Sequence, residues 1–237
     1  DKRAVMGKNF KASSVGDVRA KKHLGQHFLK DENIAAKIAD TLSLQQYSKV
    51  LEIGARDGYL SLWAAIKGAN VICSDIIGPS ESFVNRISLY KLENIKFKAL
   101  DALNLPFSNK FDYVLFKSVL GGIGKADSIE NQSIVMKQIH QVLKPGGECL
   151  FMENMRATWL HNFLRKRSDA KITNWYYPTL MEFYKFSKIF NKVSFRTFGF
   201  IGLGDFPLKN FRSKLDYHLE KIIDPSCHYI YAGIYQK

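Results

Sequence analysis

The sequence Val-Leu-Glu-Ile-Gly-Ala-Arg-Asp-Gly-Tyr-Leu at positions 50–60 is the most informative part of this chain. Val50–Ile53 is short and apolar and predicts a buried strand, and Tyr59–Ile66 has the spacing of a helix. Gly54–Gly58 forms the turn between them, and glycines there allow the backbone to approach a ligand closely. The stretch therefore predicts a strand–turn–helix unit with a ligand site at the carboxyl end of the strand.

Strands and helices alternate on both sides of this unit. Four more strands are predicted at Ala69–Ser74, Ile95–Ala99, Phe111–Phe116 and Glu148–Met152, with helices at Ser80–Tyr90 and Asp127–Leu143. Residues 156–191 have a helical pattern, and two last strands, Lys192–Phe200 and His228–Tyr235, flank a helix near Leu208–Ile223. We expect an α/β fold with seven strands, mostly parallel, helices on both faces and an antiparallel edge strand.

Composition indicates a folded, soluble protein. The chain has 237 residues, of which 46% are hydrophobic and 13% aromatic, which excludes a disordered polymer. We predict a mobile basic arm over residues 1–20 and a single domain over 21–237, with a basic, aromatic helical insertion at 156–191. No apolar run reaches the roughly 20 residues of a membrane span. The three cysteines are odd in number and far apart, so we expect a cytoplasmic protein without a metal site.

The positive charge is concentrated in two segments. Residues 1–30 carry eight Lys or Arg and two acids, and residues 156–196 carry nine and two, which together account for the net charge of +13. One interpretation is an acidic partner such as nucleic acid, a phosphorylated glycan or an anionic membrane surface. The other is that these side chains solvate helix faces.

A candidate cofactor site follows from the glycine turn. Asp75 stands at the end of the second predicted strand, where a carboxylate can accept hydrogen bonds from the two hydroxyls of a ribose. The spacing Gly54-x-x-x-Gly58 differs from the Gly-x-Gly-x-x-Gly that binds a pyrophosphate. Glu52 would repel a pyrophosphate but suits an ammonium group. The pattern therefore favours an adenosine-containing cofactor other than NAD.

These residues, with Asp101-Ala102 and Lys-Pro-Gly-Gly at 144–147, resemble the class I S-adenosylmethionine-dependent methyltransferases over roughly residues 45–155. The resemblance implies a Rossmann-like fold, S-adenosylmethionine as cofactor and S-adenosylhomocysteine as product. It also implies roles for matching positions: Glu52 and Gly54 at the methionine end, Gly58 in the turn, Asp75 at the ribose, Ile76, Asp101 and Ala102 at the adenine, and Phe116, Lys117 and Ser118 facing the sulfonium. One departure is Arg56, which stands where many members have glycine.

Two further resemblances disagree about the methyl acceptor. Lys21–Asp31 resembles the N-terminal motif of rRNA adenine dimethyltransferases, which implies cofactor contacts for Gln26, His27 and Leu29. That family has Asn-Leu-Pro-Tyr or Asn-Pro-Pro-Tyr after the fourth strand, to accept hydrogens from a flipped adenine. Here the position reads Phe116-Lys117-Ser118-Val119, with a lysine donor where an acceptor is needed.

The stretches Leu115–Gly124 and Val142–Gly147 are similar to the ubiquinone-biosynthesis-like methyltransferases, which act on small molecules, lipids and sugars. We therefore predict methylation, on oxygen, of a small-molecule or glycan-like acceptor. An RNA methyltransferase and a catalytically weak cofactor-binding interaction protein remain as alternatives.

Candidate catalytic and acceptor-binding residues lie after the fifth predicted strand. A hydroxyl acceptor benefits from a general base, for which Glu153 and His161 are the candidates. Each also has a structural interpretation, as an acid at a helix start and as a helix-face histidine. Three arginines, Arg156, Arg165 and Arg167, are predicted to bind a phosphate of the acceptor. The sequence does not indicate an oligomeric state.

Overall fold

The computed structural model describes residues 48–124, 129–168, 175–201 and 209–237. The predicted arm at 1–20 and the predicted cofactor contacts of Gln26, His27 and Leu29 lie outside these residues. Arg165 and Arg167 lie in a described helix, but their side chains are outside the described part of the structure.

The described chain contains seven strands and seven α-helices. The strands are β1 (Lys49–Ile53), β2 (Asn70–Asp75), β3 (Ile95–Ala99), β4 (Phe111–Lys117), β5 (Leu143–Asn154), β6 (Lys192–Phe198) and β7 (Ile230–Gln236). The helices are α1 (Tyr59–Ile66), α2 (Glu81–Tyr90), α3 (Leu120–Ile123), α4 (Ile129–Val142), α5 (Trp159–Ser168), α6 (Leu180–Ser187) and α7 (Lys209–Leu219), and Pro225–Cys227 forms a 3₁₀ turn.

The seven described strands form one sheet in the order β3-β2-β1-β4-β5-β7-β6. All neighbours pair in parallel except β7, which is antiparallel to both β5 and β6. This confirms the predicted fold class and places the antiparallel strand one position inside the edge. The strand order reverses between β1 and β4, and ligands of open α/β sheets bind beyond the carboxyl ends of the strands at such a point. We call this side of the sheet the carboxyl edge.

Each face of the sheet has its own hydrophobic core. On one face, α1 and α2 pack against the sheet through residues such as Leu60, Ala64 and Phe83. On the other face, α4 and α6 cover a larger core that contains a set of stacked aromatic rings. Phe116 and Phe151 stack with centroids 4.7 Å apart, and Phe183 and Tyr231 with centroids 4.1 Å apart. Both faces of the central strands are therefore buried, as their continuous apolar sequences require.

The predicted helical insertion at 156–191 is interrupted. Two helices, α5 and α6, lie in this range, and residues 175–179 between them are not helical. Pro178 disfavours a helical conformation in Tyr177, the residue before it, and so separates the aromatic residues at 175–177 from α6. Thr179 then starts α6 with a capping box, in which Thr179 and Glu182 bond each other's backbone N–H. Among the described helices, none is long and apolar enough to cross a bilayer.

Candidate cofactor and acceptor site

The turn between β1 and α1 requires glycine at two positions. Gly54 and Gly58 have left-handed backbone conformations, with φ of 63° and 64°. A Cβ at Gly54 would lie 2.6 Å from Val119 Cγ2, and a Cβ at Gly58 would lie 2.4 Å from Phe83 Cδ2. Both distances are too short for real atoms. The turn is therefore packed directly against the end of β4 on one side and against α2 on the other.

Arg56 keeps the backbone conformation that glycine would have in this turn. Its φ of 46° is in the left-handed region. Its side chain is exposed, and its backbone N–H donates to Asp75 Oδ2 at 3.0 Å. The departure noted in the sequence therefore changes the side chain but leaves the turn intact.

Asp75 lies at the carboxyl end of β2, immediately beside the glycine turn. Its second oxygen, Oδ1, accepts a hydrogen bond from the Ile77 backbone N–H at 3.3 Å, and its side chain is half-buried. The two backbone N–H groups fix the carboxylate, and each oxygen keeps a lone pair for a further donor. This arrangement fits a ribose with two neighbouring hydroxyls.

Two exposed isoleucines follow Asp75 in the chain, and a second acid follows the neighbouring strand β3. Ile76 and Ile77 are 70% and 75% exposed, which is unusual for isoleucine and leaves a surface suited to a flat apolar ring. Asp101 follows β3, is exposed and accepts a hydrogen bond from Leu103 N–H at 2.9 Å. Ala102 beside it is buried. The structure thus brings the residues predicted for the ribose and adenine to neighbouring strand ends, and adds Ile77, which the sequence analysis missed.

Glu52 is buried beneath the turn. Its Oε2 accepts a hydrogen bond from the Ser61 backbone N–H at 2.7 Å, and Ser74 Oγ donates to its backbone carbonyl at 2.6 Å. Burial raises the pKa of the Glu52 carboxyl to about 7, although the hydrogen bonds from Ser61 lower it; the Asp75 carboxylate raises it further. A cofactor ammonium near this group would favour its ionised form.

The end of β4 carries the predicted sulfonium-facing residues. Phe116 is buried in the aromatic core, so only its backbone faces the carboxyl edge. Lys117 and Ser118 are half-buried, and Ser118 has a left-handed φ of 54°. Its backbone N–H donates to the Met152 carbonyl at 3.0 Å. A strained non-glycine residue at this position is typical of a functional site.

The two candidate bases have structural partners. Glu153 is 2% exposed, and its Oε1 accepts hydrogen bonds from Val119 N–H at 2.5 Å and Leu120 N–H at 3.0 Å. Both ring nitrogens of His161 are engaged, Nδ1 with Thr158 Oγ1 at 2.7 Å and Nε2 with the Phe200 carbonyl at 2.6 Å. Because a carbonyl only accepts, Nε2 carries a proton and donates it there. The contacts of His161 favour its structural interpretation. Glu153 lies in β5 and is therefore not an acid at the start of the following helix; its carboxylate instead accepts hydrogen bonds from the segment that begins α3.

Residues 175–177, which we call the aromatic segment, lie against helix α3 at the carboxyl edge. A Cβ at Gly121 would lie 3.2 Å from Trp175 Cε3, so the indole packs directly on the helix backbone. Gln132 is fully buried, and its Nε2 donates to the carbonyls of Leu120 and Tyr176, both at 2.8 Å. The segment is therefore fixed to α3 by packing and by hydrogen bonds.

Arg156 extends this surface. It follows the end of β5, and its guanidinium carbon lies 4.7 Å from the centroid of the Tyr176 ring. Its backbone N–H donates to the Pro178 carbonyl at 2.9 Å. The arrangement places a cation and aromatic rings beside the end of β4, where an acceptor would meet the cofactor.

A groove of about 270 Å³ crosses β4, β5, β7 and β6, and its lining is largely apolar, including Leu60, Leu150, Met152 and Ile234. Neither the glycine turn nor Asp75 contributes to it. Phe116 and Lys117, two of the residues predicted to face the sulfonium, also line it, so the groove reaches the end of β4 without including the residues predicted for the ribose.

Comparison with known proteins identifies the family. The sequence model of a methyltransferase domain matches residues 44–184, which include the glycine turn, Asp75 and the end of β4. The chain belongs to this methyltransferase domain family. The predicted class and its cofactor, S-adenosylmethionine, are thereby confirmed for the domain. A second model, that of ribosomal RNA adenine dimethylases, matches residues 18–63.

Relatives of this methyltransferase domain differ in what they cover. Ribosomal RNA small subunit methyltransferase A of Flavobacterium johnsoniae is 62% identical over 53 residues, 22% of this chain and 20% of that protein. Demethylmenaquinone methyltransferase of Staphylococcus epidermidis is 30% identical over 124 residues, 51% of this chain and 49% of that protein. The chain thus matches between a fifth and a half of the length of these relatives.

Solved structures share the fold of the domain. Phosphoethanolamine N-methyltransferase 2 of Haemonchus contortus, in complex with S-adenosyl-L-methionine, matches with a TM-score of 0.65 and 17% identity. The match covers 90% of this chain and 56% of that chain. At this identity the likeness establishes the architecture and leaves the acceptor open.

Two residues that support the candidate cofactor residues of the methyltransferase domain were not predicted from the sequence. It missed Val119, which packs on Gly54, and Gln132, which fixes the aromatic segment. The closely spaced glycines at 121, 122 and 124 were the available signal, because glycines in a helix indicate close packing of another group.

Proposed function

We propose that this domain transfers a methyl group from S-adenosylmethionine to an oxygen of a small-molecule or glycan-like acceptor. The observation that carries the proposal is the surface that follows β4, where the aromatic segment packs on α3 and Arg156 lies over the Tyr176 ring. Aromatic rings can stack on a planar or sugar-like acceptor, and a guanidinium suits an acidic group on it. The demethylmenaquinone methyltransferase relative, whose name indicates a small acceptor, matches 51% of this chain, a longer stretch than the ribosomal RNA methyltransferase relative matches.

The cofactor fits the residues at the glycine turn. We assign Asp75 to the ribose hydroxyls, Glu52 to the ammonium group, and Ile76 with Asp101 and Ala102 to the adenine. Gly54 and Gly58 allow the backbone to pass close to the methionine part. When bound, S-adenosylmethionine would supply the methyl group: its bond to sulfur breaks as the bond to the acceptor oxygen forms, S-adenosylhomocysteine is the leaving group, and the proton of the acceptor hydroxyl passes to water.

The work of the chain in this reaction is positioning. Holding the acceptor oxygen in line with the methyl group accounts for much of the rate of such a transfer. Ser118 and Lys117 at the end of β4 form the boundary between the two substrates. Arg156 and the aromatic segment orient the acceptor from the side of β5.

RNA methylation is the second candidate, and one observation favours it. The 62% identity to a ribosomal RNA methyltransferase falls in the N-terminal part of the chain, where the first 30 residues also carry a net charge of +6. Against it, Phe116-Lys117-Ser118-Val119 has no Asn-Pro pair to accept the hydrogens of an adenine amino group. A third candidate, a catalytically weak cofactor-binding protein, depended on Arg56, whose backbone keeps the turn.

One experiment separates the candidates. The purified chain is incubated with radiolabelled S-adenosylmethionine and, in parallel, with quinols and phenols, anionic sugars and unmodified ribosomal RNA. We expect label in a small acceptor, and RNA binding that is weak and unselective. Label in RNA, with binding that falls steeply as salt increases, would establish the second candidate instead. Cofactor binding without label in any acceptor would favour the third.

A further inference from the structure

The carboxylate of Glu153 connects β5 to the segment that follows β4. One oxygen accepts hydrogen bonds from two successive backbone N–H groups, those of Val119 and Leu120, and the side chain is 2% exposed. The bond from Leu120 is buried and the bond from Val119 is partly buried, and Glu153 is the acceptor that satisfies both N–H groups. Loss of that acceptor would leave buried donors unpaired.

Val119 in turn supports the glycine turn. A Cβ built on Gly54 would lie only 2.6 Å from Val119 Cγ2. The valine side chain therefore packs directly against the Gly54 backbone. Gly54 has a left-handed φ of 63°, and because glycine can adopt many backbone conformations, packing by Val119 limits those available to the turn. The position of Val119 therefore sets the position of this turn.

Ser118 makes the connection stiff. Its left-handed backbone is held by a hydrogen bond from its N–H to the Met152 carbonyl on β5, one residue before Glu153. Consecutive residues of one strand, Met152 and Glu153, thus fix consecutive residues after β4. Both contacts limit how far Val119 can move independently of β5.

We propose that Glu153 is a positioning residue, which holds the cofactor-binding turn in place through Val119 and does not remove the acceptor's proton. The inference rests on the proposed role of Gly54 in binding the cofactor. It concerns an acid that the sequence analysis considered as a general base. The two roles require different properties of the side chain. Positioning needs only a hydrogen-bond acceptor, whereas proton transfer needs a carboxylate.

Two substitutions distinguish these roles. In Glu153→Gln the amide oxygen still accepts from both N–H groups, but the side chain no longer takes up a proton. Glu153→Met has a similar length and no comparable acceptor. Val119→Ala removes the contact with Gly54 directly and leaves Glu153 unchanged.

Asp216 offers a matched control. It is 4% exposed, and its Oδ1 also accepts hydrogen bonds from two successive backbone N–H groups, Phe200 at 2.7 Å and Ile201 at 3.0 Å. It lies on α7, beyond the end of β6, and β6 is four strands from β1 in the sheet. Asp216→Asn and Asp216→Leu repeat the same chemistry far from the turn.

The first measurement is calorimetric affinity for S-adenosylhomocysteine. We expect Glu153→Met and Val119→Ala to bind about tenfold more weakly, and Glu153→Gln to stay within about threefold of the unmodified protein. The Asp216 variants should bind normally, even where their melting temperature falls. Methyl transfer is measured in parallel with radiolabelled S-adenosylmethionine and the acceptor that the labelling experiment identifies. A Glu153→Gln variant with normal affinity and transfer reduced by about a hundredfold would overturn the proposal in favour of a general base.

The second measurement needs no ligand. Amide hydrogen exchange over residues 54–58 reports directly on the order of the turn in the free protein. Exchange there should increase in Glu153→Met and Val119→Ala but not in the Asp216 variants. Unchanged exchange in both would overturn the inference even if the protein binds the cofactor. Increased exchange with unchanged affinity would instead contradict the role of Gly54 in cofactor binding.

Discussion

Replacement of Gly58 by alanine tests the packing of the glycine turn. Gly58 begins helix α1 in a left-handed conformation, and a Cβ at this position would lie 2.4 and 2.6 Å from two ring carbons of Phe83. Phe83 is itself 2% exposed, so its ring has little room to move away. The substitution therefore adds a steric conflict to an unfavourable backbone conformation.

The expected loss of stability has two parts. A left-handed conformation costs a residue with a Cβ about 1–2 kcal/mol. Overpacking of a well-packed core costs about 1–3 kcal/mol more. Gly58→Ala should therefore lower the free energy of unfolding by about 2–5 kcal/mol. Gly68 is a matched control, because its φ is 96° and a Cβ there would meet nothing within 4 Å. Gly68→Ala should lower the free energy of unfolding only by the cost of the left-handed backbone conformation.

Urea denaturation followed by circular dichroism measures both losses, provided that the slope of the transition stays constant. Combining Gly58→Ala with Phe83→Leu gives a double-mutant cycle, in which the smaller side chain should recover part of the loss. Equal losses for Gly58→Ala and Gly68→Ala, together with no coupling to Phe83, would refute the argument that α2 requires glycine at this position.

Three further predictions concern the cofactor residues. Asp75→Asn should weaken S-adenosylhomocysteine binding by about tenfold or more, because a charged acceptor becomes neutral, and calorimetry should show little change in the binding of Asp216→Asn. Because burial raises the pKa of Glu52 from 4.5 to about 7, the folded protein binds more protons than the unfolded chain in that window. The Glu52 contribution to the free energy of unfolding should therefore fall by about 3 kcal/mol as the pH rises from 4.5 through 7, and Glu52→Gln should remove this dependence in urea titrations at pH 5 and 8. Arg56→Gly should keep cofactor affinity within about threefold and stability within about 1 kcal/mol, because both residues adopt the same turn; a large loss in either assay would show that the arginine side chain contributes.

The parallel part of the sheet could be predicted from the sequence because its signals are local. The strand Ile95–Ala99 and the helix Tyr59–Ile66 have the predicted bounds, since each is a short apolar or periodic run between clear turn residues. The helical pattern over 156–191 was misleading, because the described part of this range contains two separate helices, Trp159–Ser168 and Leu180–Ser187, with non-helical residues at 175–179. A period alone does not show where a periodic segment is interrupted.

The candidate site was predictable only where its chemistry is contiguous in sequence. Glu52, Gly54 and Gly58 lie within seven consecutive residues that end β1 and form the glycine turn. Asp75 follows Gly58 by 17 residues, at the end of the next strand. Glu153 contacts Val119 across 34 residues, and Gln132 contacts Tyr176 across 44. Such pairs depend on how strands and helices meet in three dimensions, which a single sequence does not reveal.

The position of β7 in the sheet also affects how the protein folds during translation. Its hydrogen bonds to β5 and β6 involve residues 230–236, so that half of the sheet stays incomplete until these residues leave the ribosome. At a translation rate of roughly 5–20 residues per second, several seconds pass between the synthesis of β5 and that of its partner β7. During that time its edge and the aromatic ring of Phe151 are open to other chains. Expression at low temperature or with chaperones should therefore favour the native form over aggregates.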